Sequence, residues 1–238
     1  MKDVLKIMRF DFLTAKPIAF FPFVVITFFC FVLSLLFSPI ICTYITFSAM
    51  VFVIPLQRVA DRSGFNKLYG TLPVRRLNIT RARFLYIFLV HFATELLEVV
   101  LAVTARELKL YRILPNQNSE SIQMISQGFN NSFLTFGIII GLFTFFCLMF
   151  TYIEMMGQIY GRENEFKIIM ITIGVISALL FGFFALLNRG IIPVIQPPDF
   201  PTSSTDRVTL AILLNIFMLG LSVLFGEITA HKLAKREL

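Results

Sequence analysis

His91, Glu95 and Glu98 are the residues of this chain whose types and spacing could do chemistry. They lie in the stretch HFATELLE at i, i+4 and i+7, so a helix carries all three on one face. An imidazole and two carboxyls in that register can pass protons, meet a cationic group or, in principle, ligate a metal. The metal reading is the weakest, because a helical zinc-protease site requires His-Glu-x-x-His, which the chain lacks. Ionisable groups inside an apolar helix are costly and usually face a cavity or a partner. Two readings therefore stand side by side. In one, the three line a translocation path or a seam between chains. In the other, the carboxyls pair with a neighbouring helix or sit neutral and hydrogen-bonded.

The elements that must position them are long apolar helices. Of the 238 residues, 57% are hydrophobic and 15% charged, against about a quarter charged in a soluble domain. The apolar residues come in blocks whose length matches the ~20 residues a helix needs to cross a bilayer. The fold class this implies is all-α, a polytopic membrane protein. The net charge of +7 fits lysine and arginine gathered on one membrane face, and with no basic run interleaved with aromatics it does not imply nucleic acid. Cys30, Cys42 and Cys147 lie in apolar blocks without a C-x-x-C pair. They read as small buried hydrophobes, not as a disulfide or metal framework.

Six transmembrane helices are expected, at about 18–37, 40–56, 84–105, 132–153, 167–187 and 208–226, within a domain covering 17–238. Residues 1–16 read as an amphipathic interfacial helix. Lys2, Lys6 and Arg9 share one face and Val4, Leu5, Met8 and Phe12 another, a pattern that lies flat in the headgroup region. Pro17 would allow a sharp turn into the membrane, and Ser38-Pro39 a second tight break. No short apolar run followed by small residues suggests a cleaved signal. Six spans place both termini on one side. Sixteen Lys and Arg then fall on that side and five on the other, which assigns the termini to the cytoplasm. Glu154 and Glu227, near the cytoplasmic ends of the fourth and sixth spans, are expected at exposed interfacial positions.

The cytoplasmic segment 57–83 is elaborate for a connector. Phe65, Leu68, Tyr69 and Leu72 fall at i, i+3, i+4 and i+7, one apolar stripe on a helix of about two turns. Gly64 precedes it and Pro73 ends it, and Asn78 or Thr80 is suited to cap the next span. By pattern alone this is either a docking helix or a lipid-binding linker with snorkelling arginines.

The stretch GFNKLYGTLPVRRLNITRARFLY, residues 64–86, resembles the segment between the second and third spans of ABC-type exporter permeases of the second type. The matching positions are Leu72, Pro73 and Arg76 of an LP-x-x-R turn, and Ala82, Arg83 and Phe84 where the third span begins. Tyr160, Gly161 and Glu163 resemble the family's short linker after the fourth span. The layout agrees over nearly the whole chain, most closely with permeases of peptide exporters such as those for phenol-soluble modulins.

The resemblance implies a coupling helix that docks on a separate ABC ATPase subunit. Phe65, Lys67, Leu68, Tyr69, Leu72, Pro73 and Arg76 would form its contact surface. It also implies a second permease chain, the same or related, a bacterial cytoplasmic membrane and an amphipathic or antimicrobial peptide or a drug as cargo. The chain has no G-x-x-x-x-G-K-[ST] loop, so ATP and Mg would be bound by the partner and no cofactor by this chain. A proton-coupled secondary transporter using Glu95 and Glu98 is the alternative. A membrane-embedded enzyme finds no nucleophile and base arranged for catalysis.

Overall fold

The structure, a computed structural model, describes residues 2–62, 76–108, 110, 132–161, 164, 167–168, 170–175, 177–178 and 204–235. The described residues are helical, with no strand among them. Helix α1 spans Lys2–Leu36. A 3-10 helix, Pro39–Ile45, leads into α2, Thr46–Arg62. Helix α3 is Arg76–Leu108, α4 is Ser132–Tyr160 and α5 is Ser204–Ala234. Residues 170–175 are also helical. Four of the helices, α1, α3, α4 and α5, are long and apolar enough to cross a membrane, so the chain is a helical membrane protein.

Their lengths exceed the apolar runs expected from sequence. The 31 residues of α5 extend about 46 Å at 1.5 Å per residue, against a hydrocarbon core of ~30 Å. Each helix therefore carries its hydrogen bonding past the apolar block. One consequence corrects the expected caps: α3 begins at Arg76, so Asn78 and Thr80 lie inside it.

The sharp turn expected at Pro17 is absent. Helix α1 runs unbroken through Pro17 and Pro22. Each proline removes one N–H from the ladder, a loss that membrane helices tolerate. Residues 2–16 are thus the first half of α1, and they do not lie apart from the bundle. Ile7 and Met8 are buried against Ile79, Ala82 and Tyr86 of α3. Further along, Ala15 and Ala19 leave room for Phe52 of α2. The break at Ser38-Pro39 is present: Ser38 caps the 3-10 helix, its Oγ accepting from the Ile40 N–H at 3.4 Å.

Helix α3 is the axle of the fold, packing against α1, the 3-10 helix, α2, α4 and α5. It is also the least apolar of the four long helices, which suits a helix surrounded by protein more than one bathed in lipid. The start of α1, the start of α3 and the ends of α4 and α5 meet at one end of the bundle.

Candidate functional site

Two polar nodes are built on α3. The first is at its N-terminal end, where Arg81-Ala82-Arg83-Phe84 distributes itself among three helices. Arg81 makes a bidentate pair with Glu227 of α5, Nε to Oε1 at 2.6 Å and Nη2 to Oε2 at 2.8 Å. Ala82 is fully buried against Ile7 and Met8 of α1. Arg83 reaches Glu154 of α4 at 3.4 Å, and Gln158 donates to the same Glu154 oxygen at 2.6 Å. Phe84 lies against Gly226 of α5, where an added Cβ would stand 3.5 Å from the Phe84 side chain. A four-residue stretch advances every side chain by ~100°, so consecutive residues can address different neighbours. Glu227 is exposed as expected. Glu154 is not: it is 2% exposed, enclosed because Arg83 and Gln158 supply the partners that make burial tolerable.

The second node is His91, Glu95 and Glu98, some two to four turns further along α3. All three are enclosed by this chain's own helices, each 5% exposed or less. Although they share a helical face, each turns to a different neighbour. Glu98 accepts through Oε1 from the Thr46 hydroxyl, at the junction of the 3-10 helix and α2. Glu95 accepts through Oε1 from Asn215 Nδ2 of α5 at 3.3 Å. His91 lies with its ring centroid 5.5 Å from that of Phe150 of α4. Its Nδ1 is 2.8 Å from the Ile87 carbonyl. A carbonyl only accepts, so the proton is on Nδ1 and Nε2 bears the lone pair when the ring is neutral.

The partnering is incomplete. Among the described residues, His91 Nε2, Glu95 Oε2, Glu98 Oε2 and Asn215 Oδ1 are buried without a hydrogen-bond partner. No arginine or lysine contact to either carboxyl is present among those residues. Such a node can exchange protons or receive a cationic group. No group of three His, Cys, Asp or Glu among the described residues is arranged to hold a metal.

Sequence reasoning found His91, Glu95 and Glu98 but missed Thr46, Phe150 and Asn215. Asn215 carried a usable signal, since it is the one Asn in the apolar run 208–226. Phe65, Lys67, Leu68, Tyr69, Leu72 and Pro73 lie outside the described residues, while Arg76 is the first residue of α3. Gly161 has φ +87° and ends α4, the left-handed C-terminal cap that favours glycine. Asn164 Nδ2 then donates to the Tyr160 carbonyl at 3.3 Å. The three cysteines are free thiols.

The fold and its nodes define a helical membrane protein organised around one polar central helix. Beyond that class, no protein-family model, no curated protein and no solved structure matches the chain.

Proposed function

We propose that the chain is the membrane-spanning permease subunit of an ATP-driven exporter, paired with a second permease chain and driven by a separate ABC ATPase. The supporting observation is the attachment of segment 63–75. It joins the end of α2 to the start of α3, and α3 packs on α1, the 3-10 helix, α2, α4 and α5. A displacement imposed on that segment by a closing ATPase pair passes directly into Arg81–Phe84, hence into α1, α4 and α5. The segment that resembles the family's coupling helix is therefore the one best placed to move the whole bundle.

In this reading the four long helices are joined by two further spans. One is the apolar segment Pro39–Pro55. Seven residues of 3-10 helix rise about 2.0 Å each and ten α-helical residues about 1.5 Å each. Together they cover about 29 Å, close to the thickness of the hydrocarbon core. The other is the apolar run 167–187. Both termini are cytoplasmic, the basic residues around Arg81 and Arg83 face the cytoplasm, and the membrane is the bacterial cell membrane. Movement of α3 against α2 and α5 would open Glu95 and Glu98 to a cationic part of an amphipathic peptide or drug.

Proton-coupled transport is the second reading, favoured by the unpartnered atoms of His91, Glu95 and Glu98. Affinity purification of the chain from native membranes separates the two. Recovery of a P-loop ATPase in stoichiometric amount supports the exporter. Purification without one, together with transport driven by a proton gradient alone, supports the second reading.

A further inference from the structure

At the end of the bundle opposite Arg81 and Arg83, the helices leave a cup of about 220 Å³. Val99, Ala102 and Arg106 of α3 line it, with Ile139 of α4 and Arg207 and Val208 of α5. Its α3 wall continues the stripe of Glu95, which Val99, Ala102 and Arg106 follow at i+4, i+7 and i+11. Its α5 wall continues the stripe of Asn215, which follows Val208 at i+7. The cup therefore stands over the Glu95–Asn215 pair. One turn of α3, a rise of about 6 Å, separates Val99 from Glu95. Arg106 and Glu107 end α3 at this level, and Asp206 and Arg207 begin α5. The mouth thus has basic and acidic residues in equal number, and selection by charge is left to the pair inside.

What that pair lacks is specific. The Asn215 amide is fixed in orientation, because Nδ2 donates to Glu95 Oε1 at 3.3 Å and to the Ala211 carbonyl at 2.9 Å. Its Oδ1 is left buried without a partner, as is Oε2 of Glu95, a residue only 5% exposed. Both atoms are acceptors. The other unpartnered atoms on this face of α3, His91 Nε2 and Glu98 Oε2, are acceptors as well in the tautomer that Ile87 imposes. The node is short of donors alone. A hydroxyl would supply one donor, whereas an ammonium supplies three and brings the charge that a carboxylate attracts.

We infer that the cup is the entrance by which an ammonium or guanidinium group on a short apolar stem reaches Glu95 and Asn215. The group donates N–H bonds to Glu95 Oε2 and Asn215 Oδ1, and its stem lies in the cup against Val99, Ala102 and Ile139. This deepens the reading that the inner carboxyls receive a cationic group, and rests on it. Binding itself requires no ATPase.

The test uses the full-length chain in sealed vesicles, with Cys30, Cys42 and Cys147 replaced by alanine. One new cysteine is added at a time, Thr205→Cys near the mouth or Val99→Cys at the floor. Membrane-impermeant methanethiosulfonates, one cationic and one anionic, should modify both from the same face of the membrane. Relative to Thr205→Cys, Val99→Cys should favour the cationic reagent about tenfold, the order one nearby charge supplies. Glu95→Gln, checked for intact helices by circular dichroism, should remove that preference. n-Butylammonium should slow modification of Val99→Cys several-fold, whereas tetramethylammonium, which has no N–H donor, should not. Reaction at Thr205→Cys with Val99→Cys inert would overturn the entrance, even if a cationic cargo is transported. Equal protection by the two ammonium ions, or protection that survives Glu95→Gln, would overturn the donor-seeking site. A reactive Val99→Cys with no cationic preference and no protection would overturn the cation reading itself, since the carboxyl would then be neutral. If the chain is oriented the other way, both cysteines change sides together; the placement of the termini then falls and the entrance stands.

Discussion

The two polar nodes of α3 use the same acidic side chain in opposite ways. At the N-terminal end, Glu154 is buried and Glu227 exposed, and each has an arginine. Two to four turns away, Glu95 and Glu98 are buried with neutral donors, Asn215 and Thr46, and each keeps one oxygen unpartnered among the described residues. A buried carboxylate facing a cation is a fastening: removing one partner leaves a stranded charge. A buried carboxyl facing neutral amides and hydroxyls fastens little and retains a site for a proton or a cationic ligand. The first node ties α3 to α4 and α5, and the second keeps unused hydrogen-bonding capacity; in the proposed exporter, force would arrive at the first and cargo would meet the second.

That contrast yields unequal responses to substitution. The largest effect is expected for Arg83→Met, which takes the cation from the buried Glu154 and leaves its charge facing the neutral Gln158 amide. A loss of about 3–5 kcal/mol should appear as a lowered thermal midpoint in detergent, and Glu154→Gln combined with it should restore part of the loss. Next is Gly226→Val, which presses a branched side chain onto Phe84 where even a Cβ is already in contact. Overpacking of that kind costs about 1–3 kcal/mol, read by the same melt. For the inner node, Glu95→Leu with Glu98→Leu should cost less than the charge stranded at Glu154, since only neutral donors, Asn215 and Thr46, lose an acceptor. Transport in proteoliposomes should be lost. A large destabilisation by that pair would break the comparison and make both nodes structural. Smallest is Arg81→Gln. It removes an ion pair whose side chains are 44% and 47% exposed, worth about 0–1 kcal/mol, so its melt should barely move.

The membrane class and the His91, Glu95, Glu98 register were legible in the sequence because apolar blocks and helical periodicity are local properties. So was the break at Ser38-Pro39, set by one capping hydroxyl and one proline. The continuity of α1 through Pro17 was not, because it depends on Ile7 and Met8 finding Ile79 and Ala82, which are some seventy positions away. Burial of Glu154 was hidden for the same reason: its tolerance depends on Arg83, a residue on another helix. The three-residue face of α3 was correctly placed on one side, yet periodicity says nothing about which neighbour each side chain meets. Arg106 and Arg207 could not be paired from sequence, since only the folded bundle brings the end of α3 to the start of α5.

The most direct test of the exporter reading is ATP hydrolysis by the permease reconstituted with its co-purified ATPase, in liposomes without a proton gradient. Leu68→Asp with Tyr69→Asp would put charge on the apolar stripe of segment 57–83, where docking would bury it at a cost of several kcal/mol. With the native chain, cargo-stimulated hydrolysis and transport are expected. With the double variant, membrane insertion should persist while ATPase association and transport both fall away. Undiminished ATPase binding and transport in that variant would contradict the coupling role of the segment. Transport by the native chain that needs a proton gradient and no ATPase would contradict the exporter itself.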